Sequence, residues 1–304
     1  MSEPDAPVAP DYRAGFVAII GRPNVVKSTL LNAYVGEKVA IVSPKPQTTR
    51  RRLRGILTRA DAQIVFVDTP GIHKPLHKLG RTMVREAEQA IPDADLLLFV
   101  SDVTRLPGDD DVRIARLLVD VRTPLLLAMN KQDLLAPADV LPHSDAYRAL
   151  GTFAEWMMIS ARRGDNLDQL MRLIVQHLPL SPPLYPADQL TDQTEQAMVA
   201  ELIREKALKY LEQEVPHAIE VLIEEWAERA NGMIFIEAVV LVEKDSQKGI
   251  VIGAKGSMLK KIGQSARQEI EAHLQRKTYL ELRVKVRARW REDEKELRRL
   301  GYEI

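Results

Sequence analysis

The feature that most constrains this chain is the stretch GRPNVVKS at residues 21–28, which follows an apolar run and opens a helical pattern. A phosphate-binding loop has the pattern GxxxxGK[ST] between a strand and a helix, and here valine replaces the glycine before the lysine. The backbone N–H groups of such a loop surround a β-phosphate at a helix N-terminus. Lys27 is expected to reach the β- and γ-phosphates, and Ser28 is expected to bind Mg²⁺.

Three further stretches, DTPG at 68–71, NKQD at 130–133 and SA at 160–161, end predicted strands and complete a guanine-nucleotide site; SA would support the base. In DTPG, Asp68 is expected to hold Mg²⁺ through water, and the Gly71 amide to touch the γ-phosphate. In NKQD, the Asp133 carboxylate would accept hydrogen bonds from N1 and N2 of guanine, which adenine cannot donate, and the Lys131 stem would stack on the ring. The order of the motifs at the strand ends fits ligand binding by an open α/β sheet. The predicted nucleotide-binding residues are Gly21, Asn24, Val25, Val26, Lys27, Ser28, Thr29, Asp68, Gly71, Asn130, Lys131, Asp133, Ser160 and Ala161.

The loop SPKPQTTR at residues 43–50 offers a threonine that could close on Mg²⁺ and the γ-phosphate. Thr49 is the first choice and Thr48 the alternative, and a polar surface loop without function is the competing interpretation. Ile72 follows DTPG where Ras-like enzymes carry a water-orienting glutamine, so water must be positioned differently. The predicted metal ligands are Ser28, Thr49 and Asp68, and the predicted catalytic residues are Lys27, Thr49, Gly71 and Asn24.

Val26 puts catalysis in doubt. Glycine at this position permits backbone angles that a Cβ penalises, and a β-branched residue forced into them costs about 1–3 kcal/mol. That strain corresponds to about ten- to a hundredfold weaker nucleotide binding, and the methyl groups would crowd the β-phosphate or displace Lys27. An ordinary right-handed backbone at Val26 is the innocuous alternative. Since the other motifs are intact, we interpret Val26 as a substitution that traps an empty or inactive state, with a natural variant as the alternative.

The pattern along the chain predicts two domains. Short apolar runs alternate with helical stretches through the first half, which is typical of an α/β domain with a mostly parallel sheet and helices on both faces. A proline-rich stretch follows. The chain contains no cysteine, which excludes disulfides and thiolate metal sites and fits a reducing cytosol. The predicted boundaries are a flexible tail at 1–13, a nucleotide domain at 14–178, a linker at 179–190 and a nucleic-acid domain at 191–304.

The C-terminal part is basic, although the whole chain has no net charge. Residues 248–291 carry twelve basic and three acidic side chains, a local excess of nine that indicates a polyanion site. Within them, IGxxGxxxKxI is the pattern of a KH domain, whose GxxG loop packs against an RNA backbone. The order helix, two strands, two helices, strand fits an α+β type II KH arrangement. The predicted RNA-binding residues are Ile252, Gly253, Ala254, Lys255, Gly256, Lys260, Lys261, Arg287 and Arg289.

The last predicted strand alternates apolar and basic residues, with Arg283, Lys285, Arg287 and Arg289 on one face. Binding of RNA phosphates is one interpretation of this face. A solvated outer face of the sheet is the other.

Together these residues resemble the Era family of bacterial GTPases with a C-terminal KH domain, with glycine in the family where Val26 stands. The resemblance is carried by GRPNVxKSTLLN, SPKPQTTRRR, DTPGIHKP, NKQDL, YPADQLTD, IREKAL, the KH loop and LRRLGY. It implies a factor for assembly of the small (30S) ribosomal subunit that uses GTP, GDP and Mg²⁺ and binds the 3′ end of 16S rRNA. GTP would favour the RNA-competent arrangement of the domains, and K⁺ at Asn24 would replace an arginine finger.

The resemblance further implies a cytoplasmic monomer with peripheral contact to the inner membrane. Two alternatives remain at this point. The chain could be a constitutive single-stranded RNA-binding protein with a non-functional nucleotide site. A translational or tRNA-modifying GTPase is more remote, because it predicts a different second domain without GxxG.

Overall fold

The computed structural model describes residues 10–304 and divides them into two compact units. The first unit contains the described residues up to Ala40, together with Thr49–Lys74 and Met83–Asp192. The second contains Ile41–Thr48, Pro75–Thr82 and Gln193–Ile304. The sequence did not indicate that two short internal segments group with the second unit, and the domain boundaries drawn from it stay a prediction.

The first unit is built on a six-stranded sheet in the order β2-β3-β1-β4-β5-β6. All neighbouring pairs are parallel except β2 and β3, which are antiparallel. The strands are β1 Arg13–Ile20, β2 Leu53–Thr58, β3 Ala62–Asp68, β4 Leu96–Asp102, β5 Leu125–Asn130 and β6 Glu155–Ile159. The sequence patterns predicted five of these, and β2 was missed because its six residues (LRGILT) mix apolar and polar types on an edge strand.

Helices cover both faces of this sheet, as the buried apolar runs of its strands require. One cluster packs Leu30 and Ile174 against Phe66, and the other packs Ile114 and Tyr147 against Phe99. The helices of this half of the chain are α1 Lys27–Val35, α2 Lys78–Gln89, α3 Asp109–Leu118, α4 Val140–Arg148 and α5 Leu167–His177. The predicted α/β fold is confirmed.

Both ends of the predicted nucleotide domain contact its sheet. Tyr12 is buried and β1 begins at Arg13, within the predicted tail 1–13, of which residues 1–9 lie outside the described part. In the proline-rich stretch, the Leu190 carbonyl accepts from the Ile56 amide at 2.8 Å. The Tyr185 carbonyl accepts from Gln63 Nε2 at 2.8 Å. The stretch therefore runs along β2 and β3.

The second unit has a three-stranded sheet in the order β7-β8-β9, with β7 antiparallel and β9 parallel to β8. Its elements are α6 Glu195–Tyr210, α7 Val215–Ala218, β7 Glu220–Glu228, β8 Ile234–Val242, α8 Asp245–Ile252, α9 Ser257–Leu274, β9 Thr278–Val286 and α10 Glu294–Arg299. The predicted KH domain is confirmed. Among the described residues, no helix combines the length and apolar character needed to cross a bilayer.

Candidate functional site

The loop between β1 and α1 has the backbone of a phosphate-binding loop. A Cβ at Gly21 would lie 2.4 Å from the Val100 carbonyl oxygen, so only glycine fits there. Asn24 has φ 66° and Val26 has φ 75° and ψ 39°, both in the left-handed region. The right-handed alternative for Val26 is therefore wrong, and a β-branched side chain occupies a conformation that costs about 1–3 kcal/mol.

Lys27 lies against its own loop. Its ammonium donates to the carbonyl oxygens of Gly21 at 3.1 Å and Arg22 at 3.3 Å, and the residue is only 6% exposed. Burial lowers the pKa of Lys27 to about 8; the carboxylate of Asp68 opposes this, and the charge of Arg22 adds to it. A partly desolvated ammonium held at the loop is suited to meet phosphate oxygens.

The three predicted metal ligands come together. Ser28 Oγ donates to Asp68 Oδ2 at 2.7 Å, Thr49 Oγ1 donates to the same atom at 3.1 Å, and the two hydroxyl oxygens lie 3.0 Å apart. Asp68 is fully buried, and its second oxygen, Oδ1, has no hydrogen-bond partner among the described residues. Burial raises the pKa of Asp68, while Lys27 and the two hydroxyls oppose that rise. An orphaned carboxylate oxygen beside two hydroxyls fits a hard cation such as Mg²⁺.

The DTPG stretch is fastened to β1 and the phosphate loop. Thr69 Oγ1 donates to the Ile19 carbonyl at 2.8 Å, and the Ile72 amide donates to the Gly21 carbonyl at 3.1 Å. A Cβ at Gly71 would lie 2.5 Å from the Pro23 nitrogen, which explains the glycine. The side chain of Ile72 is fully buried and cannot orient water.

Asn130 joins three loops. Its Nδ2 donates to the Val25 carbonyl at 2.9 Å, and its Oδ1 accepts from the amides of Lys131 at 2.8 Å and Ala161 at 2.9 Å. All three hydrogen bonds are inside the protein. Asn130 therefore holds the loops in place, and Ser160 is buried beside Ala161 with its Oγ accepting from the Arg163 amide.

Asp133 is the residue of the NKQD stretch whose carboxylate remains available to a ligand. It is half-buried in the turn Gln132–Leu134, and within residues 10–304 no group donates a hydrogen bond to its carboxylate. Its neighbour Lys131 has φ 69°, and the Lys131 ammonium donates to Asp102 Oδ2 at 2.6 Å. This ion pair holds the Lys131 side chain at the end of β4.

Asp102 was missed by the sequence analysis. Burial raises its pKa, but hydrogen bonds from Lys131 and Thr104 outweigh burial, so the pKa lies below the usual value. Arg22 NH2 lies 3.4 Å from the same carboxylate, and Arg22 Nε lies 3.3 Å from Asp111. The available signal was the position of Asp102 at the end of β4, on the same sheet edge as DTPG and NKQD.

The GxxG loop of the second unit links α8 to α9 through three left-handed or glycine-specific residues. Gly253 has φ 71°, and a Cβ there would lie 2.7 Å from Met258 Cβ. Lys255 has φ 51° and Gly256 has φ 80°. Ile252 ends α8, and Ala254 begins the single turn that follows it.

A groove of about 410 Å³ begins at this loop and runs between α9 and β9. Its lining combines apolar residues with two cations, of which Arg267 was not predicted. The lining residues are Gly256, Leu259, Lys260, Gly263, Gln264, Arg267, Leu280 and Leu282. The structure thus places Lys260 in the groove. Lys261 points elsewhere, since its ammonium lies 4.4 Å from the ring centre of Tyr210.

The basic face of β9 is divided between paired and solvent-exposed residues. Arg283 pairs with Glu237 and Glu281, each at 2.8 Å, and Lys285 pairs with Glu224 at 2.7 Å. The predicted RNA contacts Arg287 and Arg289 lie beyond the end of β9; both are exposed and neither lines the groove.

Comparison with known proteins places these two sites in one family. A family model described as 50S ribosome-binding GTPase matches residues 16–131, and a KH domain model matches residues 214–291. The chain is 46% identical to GTPase Era of Ruminiclostridium cellulolyticum over 96% of its length and 98% of that protein. It is also 46% identical to GTPase Era of Heliobacterium modesticaldum, over 96% of the chain and 97% of that protein.

Solved structures agree over the same extent. A variant of Aquifex aeolicus Era bound to GDP·AlF₄⁻ superposes with a TM-score of 0.92 at 40% identity, covering 96% of this chain and all of that one. Era in complex with MgGDPNP and nucleotides 1506–1542 of 16S ribosomal RNA superposes with a TM-score of 0.93 at 41% identity and the same coverage. With the loop, the DTPG and NKQD stretches and the GxxG groove all in place, the chain belongs to the Era family of GTPases with a C-terminal KH domain.

Proposed function

We propose that this chain binds GTP and GDP with Mg²⁺ in its first unit and the 3′ end of 16S rRNA in its second, as an assembly factor of the 30S subunit. The observation that carries the nucleotide part is the convergence of Ser28, Thr49 and Asp68 within 3.1 Å, next to an unpartnered carboxylate oxygen. The Era relative bound to MgGDPNP and rRNA supports the pairing of the two ligands.

The residues would divide the work of GTP hydrolysis. Mg²⁺ would offset charge on the β- and γ-phosphates. Lys27 would donate to the same phosphates, the Gly71 amide would hold the γ-phosphate, and Asp133 would select guanine. Because Ile72 is buried, the attacking water must be placed by loop backbone or by Thr49.

We further propose that Val26 impairs this site. The place of Val26 in the loop supports that proposal, because its methyl groups would crowd a β-phosphate. The strain of the left-handed backbone is already present without ligand and lowers stability rather than affinity. Titration of a fluorescent GDP analogue into this chain and into Val26→Gly tests it. We expect binding at least tenfold tighter for Val26→Gly, and equal affinities would refute impairment.

Crowding of the phosphate loop by Val26 also favours a second candidate, a constitutive RNA-binding protein whose nucleotide site does not load. Phosphate release measured with and without rRNA separates the two. Release of phosphate by this chain would support the switch. RNA binding that is unchanged by GTP, with no release, would support the constitutive protein.

A potassium ion at Asn24 remains part of the proposal. Asn24 is exposed in the loop with φ 66°. Replacing K⁺ by Na⁺ during hydrolysis by Val26→Gly should slow the reaction, and an unchanged rate would remove the ion from the mechanism.

We propose a monomer in the cytoplasm that binds the 30S subunit and touches the inner membrane peripherally. Light scattering checks the monomer, co-sedimentation checks 30S binding, and flotation with anionic vesicles checks membrane contact. Binding to vesicles of neutral and anionic lipid alike would argue against an electrostatic surface contact.

A further inference from the structure

The outer face of the second unit's sheet carries an aromatic stack that the groove does not use. Phe235 on β8 and Tyr279 on β9 are directly paired in register, with ring centres 5.7 Å apart and planes 11° from parallel. The Arg229 guanidinium lies 4.6 Å from the Phe235 ring centre. Because β8 lies between β7 and β9, arginine and tyrosine reach phenylalanine from opposite flanks.

The free side of this stack faces the edge of the sheet. No strand of the described unit follows β9, and Tyr279 is 53% exposed. Ile234 and Ile236, the neighbours of Phe235 on β8, point to the opposite face of the sheet and are buried in the core. The column of arginine, phenylalanine and tyrosine therefore ends in an aromatic face open to solvent.

Charges of both signs surround the stack. The Ile234 amide donates to the Lys277 carbonyl at 2.9 Å, which brings the β7–β8 turn beside the residues that precede β9. Three exposed cations, Arg229, Arg276 and Lys277, lie at this end of the sheet; Arg276 is 3.7 Å from Glu228, and Glu271 accepts from the Thr278 amide. The next row of the same face carries Glu225, Glu237 and Glu281, of which the last two pair with Arg283. Among the described residues, the cations nearest the rings that form no ion pair are therefore Arg229 and Lys277.

The stack and the groove lie on opposite faces of the same edge strand. Leu280 and Leu282 of β9 line the groove, and Tyr279 precedes Leu280 on the opposite face of the same edge strand. A strand of RNA that leaves the groove at Leu280 needs to pass only around the edge of β9 to reach the tyrosine ring.

We propose that Tyr279, backed by Phe235 and Arg229, is a second RNA subsite that stacks one unpaired nucleobase outside the GxxG groove. Aromatic rings backed by cations are the platforms on which single-stranded nucleic acids stack, largely without regard to sequence. This inference rests on the proposed RNA-binding function and names where an additional base is held.

The test uses the full chain and its Val26→Gly version with a non-hydrolysable GTP analogue. The probe is RNA of the sequence of nucleotides 1506–1542 of 16S rRNA, with 2-aminopurine at single unpaired positions. Tyr279→Thr removes the ring but keeps a residue suited to a strand, and Tyr279→Phe is the matched control that keeps the ring. Thermal unfolding checks that both variants fold.

We expect Tyr279→Thr to weaken binding about 5- to 150-fold, the range that loss of one stacked base predicts, and Tyr279→Phe to stay within about twofold. Quenching of 2-aminopurine at one position should be lost in Tyr279→Thr and kept in Tyr279→Phe. If the parent chain binds and Tyr279→Thr binds equally with the same quenching, the subsite is refuted while the groove stands. If the parent chain does not bind this RNA, the proposed function fails and the subsite fails with it.

Discussion

Asn130 donates a hydrogen bond from Nδ2 to the carbonyl of Val25, 2.9 Å away and directly before the strained residue of the phosphate loop. The same side chain accepts from the Ala161 amide, so Asn130 couples the loops that follow β5 and β6 to the phosphate loop. We expect Asn130→Asp to keep the acceptor and lose this donor, which costs about 1–3 kcal/mol in a buried site. Urea unfolding measures the change.

Asn166→Asp is the control for that substitution. Asn166 Nδ2 donates to the Met158 carbonyl at 2.7 Å, but at an exposed position. Loss of this hydrogen bond should lower the free energy of unfolding by well under 1 kcal/mol, because water can replace the Asn166 donor at the Met158 carbonyl. Equal costs at the two positions would contradict the coupling assigned to Asn130.

Replacements at Val26 should separate backbone strain from crowding of the nucleotide. Glycine relieves both, whereas asparagine tolerates the left-handed region but keeps a side chain over the loop. We expect Val26→Asn to raise the free energy of unfolding by about 1 kcal/mol without restoring tight GDP binding. Val26→Gly should restore binding. Tight binding by Val26→Asn would show that strain alone causes the defect.

The low pKa of Lys27, about 8 against 10.5, should make stability depend on pH in a defined direction. Below pH 8 both the folded and the unfolded states hold the proton, and the cost of burying the charge is fully present. Between pH 8 and 10.5 the unfolded state holds more protons than the folded state, so the free energy of unfolding rises with pH. The total gain is up to about 3 kcal/mol.

Denaturant unfolding from pH 7.5 to 10 measures this gain as the difference between the parent chain and Lys27→Met. Taking this difference removes the pH dependence that arises from the other titrating groups, which both proteins share. A difference that stays flat over this range would show that Lys27 keeps its ordinary pKa.

Asp68→Asn should remove the response of the protein to Mg²⁺. Its orphaned oxygen and the two hydroxyls are the group suited to the ion, and an amide is a weaker ligand without charge. In a Val26→Gly background with GDP, Mg²⁺ should raise the melting temperature of the parent site and leave Asp68→Asn unchanged. Asp61→Asn, at an exposed position, should behave as the parent does.

Lys260 and Lys261 form a matched pair for the RNA groove. Lys260 lines the groove, whereas the ammonium of Lys261 lies over Tyr210. We expect Lys260→Ala to weaken rRNA binding and to reduce the slope of log affinity against log salt by about 0.7, the value for one phosphate of a single strand. Lys261→Ala should change the affinity and the salt slope less. A larger effect of Lys261→Ala than of Lys260→Ala would contradict the position of the groove.

The strand-and-motif order of the first unit could be predicted because each signal is local. A phosphate loop, a DTPG turn and an NKQD turn each follow an apolar run, and parallel strands bring their ends to one edge. The antiparallel strand β2 was missed because its residues mix apolar and polar types. The path of the proline-rich stretch and the role of Asp102 could not be predicted, because each depends on partners far along the chain.

Residue types and their spacing were enough to predict the chemistry: candidate residues for phosphate, Mg²⁺, guanine and RNA, and the anomaly at Val26. Which of these residues meet follows from the folded chain. It brings Ser28, Thr49 and Asp68 within hydrogen-bond distance, turns Asn130 inward onto Val25, and sends one of two adjacent lysines into the groove and the other onto an aromatic ring. The physical reason is that residue type sets what a side chain can bind, whereas distant packing sets the direction in which it points.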